Sequence, residues 1–261
     1  MSDETILELK DLSIQFTGNQ VLNEINLKVK RGEIIGYIGP NGAGKSTTVK
    51  IILGLLSKYS GDVFVFGENI RDHAVDYKRR IGYVPESGEI YDDLTATEYI
   101  HFIGQMYGMT LDQIDQKLTA LMEKFELKRV RNSRIANFSK GMKQKLLIIA
   151  SLIHDPDLIF FDEPLAGLDA NSVMIIKEMM DQLAQAGKTI FYSSHIMDVV
   201  EKISDRILLL NKGEIIADGS FAELQAKNKE GTLEQIFNQL TGFDQHEETA
   251  TEIVRIIQGA D

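Results

Sequence analysis

Residues Ile34-Ile35-Gly36-Tyr37-Ile38-Gly39-Pro40-Asn41-Gly42-Ala43-Gly44-Lys45-Ser46-Thr47 decide how the rest of this 261-residue chain is read. An apolar run of strand length ends at Gly39. The octet that starts there has the form G-x-x-x-x-G-K-[ST], and a helix-like stretch, Thr47 to Leu56, lies behind it. Glycines let the backbone turn so tightly that several N–H groups converge on one point, at the positive end of the following helix, which is where a phosphate is held. Gly39, Pro40, Asn41, Gly42, Ala43, Gly44, Lys45, Ser46 and Thr47 are therefore candidate nucleotide-binding residues. Lys45 is placed to reach the β- and γ-phosphates, and the Ser46 hydroxyl is the expected Mg²⁺ ligand, because Mg²⁺ takes hard oxygens shared between protein and nucleotide. The competing reading is a glycine-rich turn with a solvated lysine, which leaves the complete octet and both of its flanks unexplained.

Before the loop, Leu7 and Leu9, then Leu12, Ile14 and Phe16, alternate up to a turn at Thr17-Gly18-Asn19, and Val21, Ile25, Leu27 and Val29 follow, predicting an antiparallel start. After it, short apolar runs at Leu158 to Phe161, Ile190 to Tyr192 and Ile207 to Leu210 join Ile34 to Ile38 as strands of a parallel sheet covered on both faces. Between about Glu86 and Asp155 no strand-like run occurs, while Tyr99, Phe102, Ile103, Met106 and Leu118, Leu121, Met122, Phe125 recur at helical spacing. Leu233, Ile236, Phe237 and Leu240 predict a further helix, and Ile253, Val254, Ile256 and Ile257, beyond a polar stretch from Asp244 to Thr251, predict a last and weakly attached one. The expected fold class is α/β: a P-loop NTPase core with an antiparallel β subdomain, an inserted helical subdomain and a short C-terminal helical extension. The expected divisions are 1–86 and 156–230 for the nucleotide-binding core, 87–155 for the helical subdomain and 231–261 for the extension.

Composition narrows the function. Lys and Arg number 28 against 39 Asp and Glu, a net charge of −11, so the molecule repels polyanions and nucleic acid is not an expected partner. No cysteine is present, which excludes disulfides, thiolate nucleophiles and Cys-ligated zinc or clusters. The longest apolar stretch, Leu146 to Ile153, is far too short to span a bilayer, and the start Met1-Ser2-Asp3-Glu4 is acidic, unlike a signal peptide. The expected location is cytoplasmic, and any membrane role requires a partner.

Leu158-Ile159-Phe160-Phe161-Asp162-Glu163 is an apolar strand ending in adjacent carboxylates, and ligands of open α/β sheets sit at such strand ends. Asp162 is a candidate for holding Mg²⁺ through water, and Glu163 for polarising the attacking water as a general base. Alone, such a pair is as readily a surface feature. It is joined by Phe138-Ser139-Lys140-Gly141-Met142 before the strand, by Ala166-Gly167-Leu168-Asp169 after it, and by Ser193-Ser194-His195 after the next strand. In this order, over roughly residues 5 to 225, the chain resembles the ATP-binding-cassette (ABC) ATPases. The Pro85-Glu86 form, where most members carry glutamine, together with the Phe-Ser-Lys-Gly-Met signature, resembles a bacterial exporter-type (ABC-2-like) branch whose ATPases pair with separate membrane subunits.

What the resemblance implies is specific. Phe16 takes the place of the aromatic that stacks on adenine; the competing reading is a core residue of its strand. Ser139 and Gly141 keep the two signature positions that touch the γ-phosphate bound to the opposite subunit, while Met142 replaces a glutamine; Lys143 and Lys145 add charge nearby or are simply solvated. Glu86 is an anionic ligand toward Mg²⁺ or its water. His195 contacts the γ-phosphate and positions the catalytic carboxylate, and Asp169 crosses the dimer interface while also suiting a helix N-cap. Tyr91 and Leu94, in Ile90 to Tyr99, belong to the surface that receives the permease, or else pack internally at the start of a helix capped by Thr95 with Glu98. The implied activity is hydrolysis of ATP with Mg²⁺ by a homodimer or heterodimer that closes head-to-tail on the nucleotides, powering a transmembrane permease, in the export direction, at the cytoplasmic face of the cell membrane. The rival is a soluble ABC ATPase of iron–sulfur assembly or another non-transport role.

Overall fold

The computed structural model of the chain describes residues 4–72, 75–86, 90–228, 231–242 and 246–258. Two long strands open it, β1 (Thr5–Phe16) and β2 (Asn19–Lys30), followed by β3 (Ile34–Ile38), α1 (Lys45–Ile52), β4 (Ser60–Val65), β5 (Glu68–Asn69) and β6 (Ile81–Val84). Three helices come next, α2 (Ala96–Met106), α3 (Leu111–Lys124) and α4 (Lys140–Leu152), then β7 (Leu158–Asp162), α5 (Ala170–Gln185), β8 (Thr189–Ser193), α6 (Met197–Ile203), β9 (Arg206–Asn211) and β10 (Glu214–Gly219). The chain closes with α7 (Phe221–Lys227), α8 (Leu233–Thr241) and α9 (His246–Gln258).

One sheet is antiparallel, in the order β2-β1-β4-β5, and the other runs β10-β9-β3-β8-β7-β6, with β9, β3, β8, β7 and β6 parallel and β10 added antiparallel at the edge. Because side chains alternate across a strand, the apolar runs split between two cores. Ile35, Tyr37, Phe160, Phe191 and Leu208 meet β1, β2 and α1 on one face, while Ile38, Ile159, Phe161, Tyr192 and Leu209 pack beneath the helices on the other. That double coverage is why these strands read as uninterrupted apolar runs. The α/β expectation therefore holds, with antiparallel sheet, helical segment and terminal helices present.

Among the described residues, four strands were not legible as such. β6 has only four residues, with a glycine inside it; β4 opens on Ser-Gly; β5 has only two residues; and β10 lies half-exposed at the sheet edge. The helix after the loop starts two residues earlier than Thr47 and ends four before Leu56, because Gly54 enters the left-handed region (φ 67°) and its N–H closes on the Ile51 carbonyl. The polar stretch before Ile253 is helical from His246 onward, since it holds no glycine or proline to break a helix; Asp244 and Gln245 lie outside the described residues, as do Met1 to Asp3.

Candidate active site

The parallel strands β3, β8, β7 and β6 lie side by side and deliver their C-terminal ends to one edge of the sheet. The loop after β3 is locked by its neighbours. A Cβ on Gly39 would lie 2.2 Å from the Leu210 carbonyl oxygen, so no side chain fits there, and Gly44 adopts φ 112°, open in practice only to glycine. The Ala43 N–H bonds the Pro40 carbonyl at 3.1 Å, and the Ala43 carbonyl accepts from Gly213 in the β9–β10 turn at 3.0 Å. Helix α1 then begins with Gly44 as N-cap, no side-chain cap and no acidic residue in its first turn, so its leading N–H groups face the loop without a carboxylate competing for them. The Lys45 ammonium folds back over the loop, donating to the Gly39 carbonyl at 2.6 Å and the Pro40 carbonyl at 3.2 Å. Burial lowers its pKa, and the carboxylates of Asp162, Glu163 and Glu86 work against that shift.

Asp162 ends β7 opposite Ser193 of β8. The Ser193 hydroxyl donates to Asp162 Oδ1, leaving Oδ2 3.5 Å from the Ser46 hydroxyl that donates to it. Glu163 sits in the left-handed region at φ 49°, held there by its N–H on the Ser193 carbonyl at 3.1 Å. Its carboxylate receives the Ser194 hydroxyl at 3.3 Å and lies 3.7 Å from His195 Nε2. Burial raises the Glu163 pKa above the ordinary carboxylate value, and the neighbouring His195 opposes this without cancelling it. Phe16, Val21, Asn41, Gly42, Ala43, Gly44, Lys45, Ser46, Thr47, Glu86, Asp162, Glu163 and His195 together line one cleft of about 570 Å³. Phe16 is 43% exposed and belongs to this wall, not to the core. Ser193 and Ser194, quoted in the motif but given no role of their own by the sequence, orient the two carboxylates, because their partners are 31 residues away; Val21, which reads as an ordinary strand residue, lines the cleft.

Gly39 and Pro40 stand behind the lining, their carbonyls accepting from Lys45, and Ser139, Gly141 and Asp169 do not line this cleft. Ser139 caps α4, its hydroxyl accepting from the Met142 N–H at 3.2 Å, and Met142 packs against the core instead of projecting outward. Asp169 caps α5, accepting from the Ser172 hydroxyl at 2.5 Å and from the Ser172 N–H at 3.0 Å, and these bonds hold its carboxyl at a pKa of about 2. Lys143 and Lys145 are not merely solvated: Lys143 bonds Asp92 at 2.6 Å, and Lys145 lies 3.7 Å from Asp169. Thr95 and Glu98 form the expected capping box, Leu94 packs inward, and Tyr91 stays 58% exposed beside Phe102.

Residues 22–166 match the sequence model of the ABC transporter family. The chain belongs to that family. The ABC transporter ATP-binding protein NatA of Bacillus subtilis is 36% identical over 238 residues, covering 89% of this chain and 96% of NatA. The Nod factor export ATP-binding protein I of Cupriavidus pinatubonensis is 34% identical over 214 residues, 82% of this chain and 66% of that protein. A solved structure of the ATP-binding subunit of an ABC transporter superposes with a TM-score of 0.85 at 34% identity, covering 91% of this chain and all of the other. The protein is thus an ATP-binding subunit of an ABC transporter and an ATPase whose hydrolysis is coupled to transport. No helix among its described residues is long and apolar enough to cross a membrane.

Proposed function

We propose that this ATPase closes as a head-to-tail dimer on two ATP molecules, each held by one chain's loop and the other chain's signature segment, and that the closure drives export through a separate transmembrane permease at the cytoplasmic face of the membrane. The observation that carries this reading is the division of the site. Loop, carboxylates and His195 share one cleft, while Ser139 and Gly141, the helix N-terminal donors suited to a γ-phosphate, stand outside it on the same chain. In this reading residues 1–86 and 156–230 form the core, 87–155 carry the signature and the permease-facing Tyr91, and 231–261 extend the core.

The cleft residues then take distinct tasks. Phe16 offers its exposed face to the base, and the loop N–H groups with Lys45 take the phosphates. Glu163, kept basic by its raised pKa, accepts the proton of an attacking water, and His195 orients that water and the carboxylate. The donors fit Mg²⁺. The hydroxyl of Ser46 and the carboxylate of Asp162 are hard oxygens 3.5 Å apart, and among the described residues no cluster of three or more His, Cys, Asp or Glu competes as an all-protein metal cage. Ser46 and Asp162, with Glu86 at the cleft wall, would hold the ion, which supplies positive charge to the transferring phosphoryl group. Asp169 would bridge the two chains, and export as the direction is supported by the relative named for Nod factor export.

The test is Glu163→Gln. The variant is expected to bind ATP with unchanged affinity, to lose at least about 10²-fold in turnover, and to sediment as a dimer only when ATP is present. Wild-type turnover, or a monomer at saturating ATP, refutes the reading.

A further inference from the structure

The loop that bears the exposed Tyr91 and the helix that starts at the signature are tied together more firmly than their separation in sequence requires. Along the backbone, the Ala136 N–H bonds the Asp92 carbonyl at 2.9 Å, the Ile135 N–H bonds the Leu94 carbonyl at 2.9 Å, and Thr95 pairs with Arg134 as an isolated antiparallel bridge. Thr97 extends the ladder, its N–H and its hydroxyl both donating to the Arg131 carbonyl at 3.0 Å. This short zipper reaches Ala136, three residues before Ser139, and the intervening turn is closed by the Phe138 N–H on the Ile135 carbonyl at 2.9 Å. At its far side a side-chain bond closes the circuit: the Lys143 ammonium donates to Asp92 Oδ1 at 2.6 Å, and the Lys143 N–H bonds the Ser139 carbonyl at 2.9 Å. Lys143 is partly sheltered, its side chain 29% exposed against 55% for Asp92.

We propose that the Asp92–Lys143 pair is a positioning strap, which fixes the first turn of α4, and with it Ser139 and Gly141, to the loop carrying Tyr91. A load applied at Tyr91 is then carried to the phosphate donors of the signature instead of being absorbed by local movement. Lys143 is a positioning residue in this scheme: its ammonium is committed to Asp92 and not to nucleotide. The inference rests on the two-chain reading of Ser139 and Gly141 and on the permease-facing reading of Tyr91 given above.

The two roles open to Lys143 predict opposite results, and dimer formation by the full chain in the Glu163→Gln background, with ATP and Mg²⁺, separates them. Sedimentation gives the dimer dissociation constant, and a fluorescent ATP analogue at protein concentrations below dimerisation gives the affinity of a single chain. With the strap, Asp92→Asn and Lys143→Met each weaken the dimer by about two- to fivefold per site, compounding across the two sites to about four- to 25-fold. Single-chain nucleotide affinity stays unchanged, and the Met142 and Lys143 amides exchange faster. The charge swap Asp92→Lys with Lys143→Asp restores the dimer to within about twofold, as expected for a direct pair. If Lys143 instead reaches the partner's phosphates, Asp92→Asn frees it and the dimer tightens. That result, or a swap as weak as the single variants, overturns the strap. A parent Glu163→Gln chain that stays monomeric with ATP fails for a different reason: it removes the two-chain site itself.

Discussion

Lowering the pH should act on this fold through one imidazole far from the nucleotide cleft. His154 follows α4, its ring stacked on Tyr107 at 3.6 Å and 9°. Its Nε2 lies 3.0 Å from the Ile81 carbonyl, to which the Tyr107 hydroxyl also donates at 3.3 Å, so the proton sits on Nε2 and the buried Nδ1 has no partner. Burial pushes the His154 pKa from 6.5 down to about 4. The bond to Ile81 opposes the shift, the Lys117 and Lys188 ammoniums add to it, and Asp155 opposes it. The unfolded chain therefore takes up this proton first. The stability that the neutral ring contributes is complete above about pH 6.5 and is lost as the pH falls from there toward 4. At about 1.36 kcal/mol per pH unit the ceiling is near 3.4 kcal/mol, and partial exposure of the ring reduces the expected loss to about 1.5–2 kcal/mol. Phenylalanine keeps the stack on Tyr107 and cannot be protonated. Urea denaturation followed by circular dichroism at pH 7.5 and pH 4.5 should show His154→Phe gaining about 1.5–2 kcal/mol on wild type between the two conditions. Parallel stability profiles for the two proteins would refute the reasoning, because every other titrating group is common to both.

Gly39→Ala drives a methyl into the Leu210 carbonyl, 2.2 Å from the ideal Cβ position; it should cost about 1–3 kcal/mol in thermal unfolding and abolish the stabilisation that ATP confers on the parent. Phe16→Ala should weaken ATP binding by about tenfold, measured with a fluorescent analogue, with no change in melting temperature, since the side chain is 43% exposed; Phe16→Tyr should bind as the parent does. Because burial raises the Glu163 pKa, the acid limb of turnover against pH should fall at a higher pH than an ordinary carboxylate would give, with activity lost as the pH drops through it. A limb at or below pH 4.5 would remove Glu163 as the titrating base.

Much of the site was legible because its central chemistry is contiguous. Gly39 to Ser46 are consecutive and carry their motif in composition alone, and Gly44, at φ 112°, stands where only a glycine is at ease, although Leu210 and Gly213 lock the loop once the sheet is formed. Likewise Leu158 to Asp162 declares a covered strand with a carboxylate at its end, since burial on both faces demands unbroken apolar composition. The weaker strands escaped for the converse reason. Val84 of β6 is buried, but Gly82 and the half-exposed Tyr83 beside it carry no period that sequence can register in four residues. Phe16 illustrates the limit for single side chains: an aromatic on an alternating strand reads the same whether it faces core or cleft.

Sequence by itself determined the phosphate loop, the acidic strand end and the order of the motifs, because each is a property of consecutive residues and their own backbone. Only the tertiary structure decided that Asp162 shares its oxygens with Ser193 and Ser46, that Lys143 closes on Asp92, and that His154 is kept neutral against Tyr107 and Ile81. Those contacts join residues 31 to 116 positions apart, and His154 to Ile81 spans 73. Their strength depends on burial and on strand register, and both exist only once the sheet and helices have packed.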